Sequence, residues 1–152
     1  MTLWDWAAEV YGREGVAPAC LGLQDHHGQS VPFLLWALWA GQAGRWPGDA
    51  ALNRAAALAR AWEQAATGPL RQARRAIKPS IADIDDAARE SVRTQIKAVE
   101  LACERALLQA LESLAPATGE ARAPAEALAR AAAAWGRPLA PEALAALAAK
   151  LG

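Results

Sequence analysis

Several residue types that other classes of protein depend on are scarce in this chain. Phenylalanine and tyrosine occur once each, histidine and cysteine twice, and the β-branched residues are few. Strands draw on β-branched and aromatic side chains, so the composition argues against a β-sheet protein. Cys20 and Cys103 lie far apart among apolar positions, and we expect both to be free thiols rather than a disulfide.

Long apolar runs and an excess of one charge are also missing. No segment approaches the roughly 20 apolar residues that span a bilayer, and the N-terminus lacks the basic region and apolar run of a signal peptide. We therefore expect a cytoplasmic protein that does not contact a membrane. The formal net charge is zero, which argues against a general nucleic-acid binder.

Alanine, the best helix former, is by far the commonest residue. We predict an all-α fold, a single-domain helical bundle of about six to seven helices. Its centre should be the segment Val31–Ala40, which is apolar on every side. A helix of that kind is one that other elements surround, so we expect a short buried central helix.

One long amphipathic helix is predicted from about residue 83 to 114. Its apolar positions follow the 4-3-4-3-4 spacing of a helix packed along its length: Val92, Ile96, Val99, Cys103, Ala106 and Ala110. The helix should cross the domain, since the small residues suit close packing. The alternative is a structural homodimer subunit in which it pairs with its copy, so the chain is a monomer or a homodimer.

A linker rich in Ala, Gly and Pro, residues 116–124, divides the chain. We predict a helical core domain over 1–115 and an Ala-rich helical tail over 116–152. The tail should contain two short helices, about 125–134 and 141–150, separated by Gly136-Arg-Pro138. It is either loosely attached to the core or packed on it.

The first candidate site is Gln24-Asp25-His26-His27, just before the central helix. On a helix, Cys20, Gln24 and His27 lie on one face. Thiolate and imidazole can bind zinc or copper, or act as nucleophile and base, but a metal site needs three or four ligands. We assign no metal, cofactor or catalytic residue, and interpret His27 as a buried structural residue. A metal protein or enzyme centred on Cys20, Asp25, His26 and His27 is the alternative.

The second candidate is the basic stripe, defined as Arg71, Arg74, Arg75 and Lys78, which share one helical face. Such a stripe can hold a phosphate, an acidic peptide or nucleic acid, although nucleic acid is disfavoured without interleaved aromatic residues. The favoured interpretation is that acids of the long helix neutralise the stripe. Candidates for that role are Glu100, Glu104 and the acids between Asp83 and Asp86.

Trp46, between Arg45 and Pro47 in a predicted loop, is the third candidate. Tryptophan often anchors interfaces, so Trp46 is the tryptophan chosen as a candidate to face a partner, although packing inside the fold is the favoured interpretation. These patterns together predict a non-enzymatic binding or regulatory module for an unknown protein partner or a small anionic ligand. The binding residues would be Gln24, Asp25, His27, Trp46 and the basic stripe.

A set of short motifs also resembles a family of small proteobacterial helical proteins known only as a domain of unknown function. The motifs are Leu3-Trp4-Asp5, Tyr11, Gly15-Val16, Cys20-Leu21, Leu23-Gln24-Asp25, His27-Gly28, Val31, Leu34-Leu35, Leu38-Trp39, Pro69-Leu70-Arg71, Arg74-Arg75, Glu100-Leu101 and Glu104-Arg105. The resemblance covers roughly residues 2–112 and departs at His26. It implies a bacterial cytoplasmic protein in which Gln24, Asp25, His27 and the basic stripe occur together, and it implies no activity.

Overall fold

The computed structural model describes residues 1–136 and 140–152, and in these residues the fold is all-helical. The helices are α1 (Leu3–Tyr11), α2 (Val16–His27), α3 (Val31–Gln42), α4 (Asp49–Trp62), α5 (Gly68–Ala76), α6 (Asp86–Glu112), α7 (Pro124–Trp135) and α8 (Pro141–Leu151). Because α4 and α5 are joined by a π-helical turn, the described helices form seven continuous segments. The all-α prediction is confirmed. The tripeptide 137–139, which holds part of the predicted Gly136-Arg-Pro138 break, lies outside the described residues.

The central helix is α3, as predicted. Its residues from Phe33 to Gly41 are all buried, and helices α1, α2, α4, α6 and α7 pack around it. Ser30 caps its N-terminus by accepting a hydrogen bond from the amide of Phe33 at 3.4 Å, which satisfies one of the amides that the first turn leaves free. Gly28 ends α2 in the left-handed conformation, with φ 63°, and the chain turns there just before α3 begins at Val31.

The join between α4 and α5 is a π-helical turn, Glu63–Thr67. Pro69 has no amide hydrogen, and its ring would clash with a carbonyl one turn earlier in a regular α-helix. The wider π turn avoids that clash without ending the helix. A side chain at position 68 would place its Cβ 2.7 Å from the carbonyl oxygen of Glu63, so this turn requires glycine. Gly68-Pro69 therefore lies at a local widening of one continuous helix.

The long helix α6 is present, but four of the six apolar positions that were predicted to pack along it are exposed to solvent. Val92 and Val99 are 50% and 48% exposed, and Ala106 and Ala110 are exposed as well. Helix α6 instead contacts α5 and the residues that follow it through charged side chains, among them Glu100, which pairs with Arg74. Arg89, for example, is buried and donates to the carbonyl oxygens of Ile77 and Lys78 at 2.9 and 2.8 Å.

The tail packs on the core through α7 and α8. Helix α7 lies against α3 and α4, and α8 lies against α2 and α7. The indole of Trp135 donates to the carbonyl oxygen of Gly28 at 2.7 Å, and its ring lies 6.1 Å from that of Phe33. Every helix in the described ranges is too short or too polar to cross a lipid bilayer.

Candidate functional site

A pocket of about 480 Å³ opens between α1, α2, α5 and α6, beside the N-terminus of α3. Its volume lies in the range of small-molecule sites, roughly 300–1,000 Å³. The apolar part of its lining includes Trp4, Ala7, Leu21, Leu35, Leu101 and Leu108. Leu21 and Leu101 are about half exposed, and we place them at the mouth of the pocket.

The polar part of the pocket lining, which we call the polar wall, consists of Tyr11, Gln24, Arg71, Arg74, Glu100 and Glu104. Arg71 donates to the side-chain oxygen of Gln24 and to a carboxylate oxygen of Glu63, both at 3.3 Å. Arg74 pairs with Glu100 at 2.6 Å, and neither side chain is more than a quarter exposed. Glu63 and Arg71 are eight residues apart in sequence, and they are in contact across the π turn that lies between them.

Glu104 differs from the other carboxylates around the pocket. It has no hydrogen bond or ion pair with any residue in the described part of the chain. Burial raises its pKa, with a further increase from the nearby Glu100 carboxylate, while Arg71 acts in the opposite direction. Glu104 also lines a small cavity of about 10 Å³ together with Ser30 and Thr67, which has room for about one water molecule.

Tyr11 stands near Glu104 on the polar wall. Burial raises the pKa of its hydroxyl, and electrostatic interactions with Cys20, Glu104 and Asp25 raise it further. The phenol therefore stays protonated at neutral pH and is a hydrogen-bond donor within the pocket.

The polar side chains of α2 and α5 that lie outside the pocket are mostly exposed to solvent. Asp25 pairs with Arg75 at 2.9 Å, and both side chains are more than a third exposed. His26 and Lys78 are exposed, and His27 is half-buried rather than buried. The structure therefore brings Gln24 and Asp25 together with Arg71 and Arg75, and it sets His27 and Lys78 outside the pocket lining.

The basic stripe is largely neutralised. Each of its three arginines has a carboxylate partner, from Glu63, Glu100 and Asp25 respectively. Glu100 was among the acids expected in that role, whereas Glu63 and Asp25 were not. The stripe therefore does not present a continuous positive surface.

The alternative metal or catalytic site centred on Cys20 does not have enough ligands close together among the described residues. Cys20 is a buried free thiol whose pKa burial raises to about 11, so the thiolate that would bind a metal or attack a substrate is disfavoured. Asp25 is committed to Arg75, and His26 points away into solvent with an exposed side chain. Among the described residues, no three His, Cys, Asp or Glu side chains are grouped to hold a metal ion.

Trp46, the candidate to face a partner, is only 8% exposed. Its amide donates to the carbonyl oxygen of Glu120 at 3.1 Å, and the guanidinium of Arg122 lies 5.5 Å from its ring centre. Trp46 therefore joins the core to the tail. Packing inside the fold is the role that the structure gives Trp46, and its place among the binding residues was wrong because sequence does not show which segment covers a loop.

The pocket residues Trp4, Tyr11 and Leu101 were not singled out as a site from the sequence, and neither was Glu63, the carboxylate partner of Arg71. Trp4, Ala8 and Tyr11 are spaced i, i+4 and i+7 and all line the pocket. That spacing alone is also typical of an ordinary core face, so it carried no signal of a cavity. Glu63 gave no sequence signal of a site either, since it contacts Arg71 across the π turn.

The comparisons with known proteins name one family. Residues 2–111 match the model of a family described as "Protein of unknown function (DUF2390)". No curated protein and no solved structure matches the chain. The match agrees with the sequence resemblance over nearly the same residues. The chain therefore belongs to this family of unknown function.

Proposed function

We propose that this protein is a non-enzymatic binding module, and that its ligand is a small molecule with an apolar body and a charged end. The observation that carries this proposal is the pocket itself. Its apolar lining of Trp4, Leu35 and Leu108 faces a wall of charged and hydrogen-bonding groups. Ligand sites commonly combine a mostly apolar cavity with a few polar groups that fix orientation.

The charged groups support binding rather than catalysis. Arg71 and Arg74 are held by carboxylates, and the thiol of Cys20 is buried and held protonated at neutral pH. Nucleophilic catalysis needs a nucleophile next to a base, and the described residues of the pocket offer no such pair. A protein partner fits less well, since the candidate stripe is neutralised and Trp46 is covered.

The test uses three probes of equal length: n-hexylammonium, hexanoate and 1-hexanol. Each is titrated into isotopically labelled protein while the backbone amide and indole resonances are recorded. At least one probe should saturably shift the signals of Trp4, Ala8 and Leu101, which line the pocket. If none of the three probes shifts these signals, the proposal is wrong.

A cavity-filling variant shows whether binding occurs in this pocket. Ala8 lines the pocket, and Ala8→Phe should lower probe affinity at least about tenfold by occupying its volume. The matched control is Ala129→Phe, at an exposed position of α7. Unchanged binding by folded Ala8→Phe would also contradict the proposal.

A further inference from the structure

Ion pairing around the pocket leaves one carboxylate of the described residues without a partner. The groups involved are the carboxylates of Asp25, Glu63, Glu100 and Glu104 and the guanidiniums of Arg71, Arg74 and Arg75. Three of the carboxylates pair with the three guanidiniums. The fourth, Glu104, has no such partner in the described residues, although it lies in the pocket lining next to Arg71.

Arg71 is not available to neutralise Glu104 directly. Its guanidinium already donates to Glu63 and to Gln24, each at 3.3 Å. Buried carboxylates normally have a cation or several hydrogen-bond donors. A half-buried carboxylate that lacks both, and that faces an open cavity, is suited to receive a donor from a ligand.

The aromatic lining points to the same chemistry. Trp4 and Tyr11 line the pocket with Glu104, and the faces of such rings attract cations. Trp4 already interacts with one cation, since the guanidinium of Arg105 lies 5.2 Å from its ring centre. Arg105 lines a separate polar cavity and is not part of the pocket lining.

We infer that the pocket selects an organic cation: an alkyl or aryl ammonium whose nitrogen binds the Glu104 carboxylate while its apolar body packs on Trp4 and Leu108. This inference rests on the proposed function and gives the ligand class. It replaces the anionic ligand expected from the basic stripe, because the arginines of that stripe are already paired. Binding places a positive charge where the structure has an unpaired negative one.

The affinities of the three probes distinguish the two proposals. A charge-assisted hydrogen bond in a partly enclosed site should make n-hexylammonium bind about tenfold or more tightly than 1-hexanol, and hexanoate should bind most weakly. If hexanoate binds best, or if all three bind equally, the pocket is a ligand site but the cation inference is wrong. If no probe binds, the proposed function fails as well.

The Glu104→Gln variant locates the selectivity. It keeps the size of the side chain and removes its charge, so the preference for n-hexylammonium over 1-hexanol should disappear. The matched control is Glu142→Gln at an exposed position of α8, which should bind all probes as the wild type does. Full retention of the ammonium preference in folded Glu104→Gln would overturn the inference.

Discussion

The corner where α2 meets α5 has an enclosed side and an open side, and the two use the same residue types differently. On the enclosed side, Arg74 and Glu100 are paired with most of their surface covered. On the open side, Arg75 and Asp25 make a pair of similar length with both side chains well exposed. Neighbouring arginines of one stripe therefore have different roles, one holding helices together and the other lying at the surface.

The difference shows why a charge pattern alone does not identify a binding surface. Desolvation makes an enclosed pair costly to break, because the remaining partner is left buried and unpaired. Water and ions screen an exposed pair, which contributes little. The pocket lies on the enclosed side, so its charges are fixed in position before any ligand arrives.

The largest effect that separates the two sides should come from removing one arginine of each pair. Arg74→Ala leaves the Glu100 carboxylate without its partner and should lower the free energy of unfolding by about 2–3 kcal/mol. Arg75→Ala, the matched control, should change it by less than about 0.5 kcal/mol. Urea unfolding followed by circular dichroism measures both. Equal losses in the two variants would remove the distinction drawn between the two sides.

A smaller effect is expected at the π turn, which sets the position of Glu63 on the enclosed side. Gly68→Ala places a Cβ close to the carbonyl oxygen of Glu63, so the turn has to shift. We expect a loss of about 1–2 kcal/mol, or a melting temperature lower by roughly 2–4 °C per kcal/mol. Gly22→Ala is the control, since a Cβ there meets open space, and it should be neutral or stabilising. A variant at position 68 as stable as wild type would show that the turn tolerates a side chain.

The smallest effect concerns Glu104 and depends on pH. Burial raises the pKa of this carboxyl in the fold, so the folded state binds its proton more tightly than the unfolded state does. That contribution stabilises the fold at low pH and is lost as the pH rises through the folded-state pKa. Glu104→Gln should therefore melt at a higher temperature than wild type at about pH 7.5, and the gap should narrow towards about pH 5. Thermal unfolding at both pH values checks this.

The control for that measurement is Glu142→Gln, which removes an exposed carboxylate and should give no comparable gain at the higher pH. A Glu104→Gln variant that is less stable than wild type at about pH 7.5 would mean that Arg71 outweighs burial at this site.

Much of the fold was predictable because local chemistry fixes it. Ser30 and Gly28 mark the ends of two helices through capping and a left-handed turn, and both signals are visible in the sequence. Segment Val31–Ala40 is central because it has no polar side to expose. The 4-3-4-3-4 spacing on α6 was a poorer guide, since the helix is rotated to bury Arg89 and Glu100 rather than Val92 and Val99.

The sequence by itself determined that the chain is helical and that α3 is its centre, and it predicted Gln24, Asp25 and the basic stripe as candidate polar groups. Those conclusions depend on residues close together along the chain. Only the tertiary structure decided which carboxylate meets which arginine, that Trp46 is covered by the tail, and that Glu104 has no cationic partner within residues 1–136 and 140–152. These depend on how helices distant in sequence are rotated against each other, and side-chain spacing within one helix does not specify that rotation.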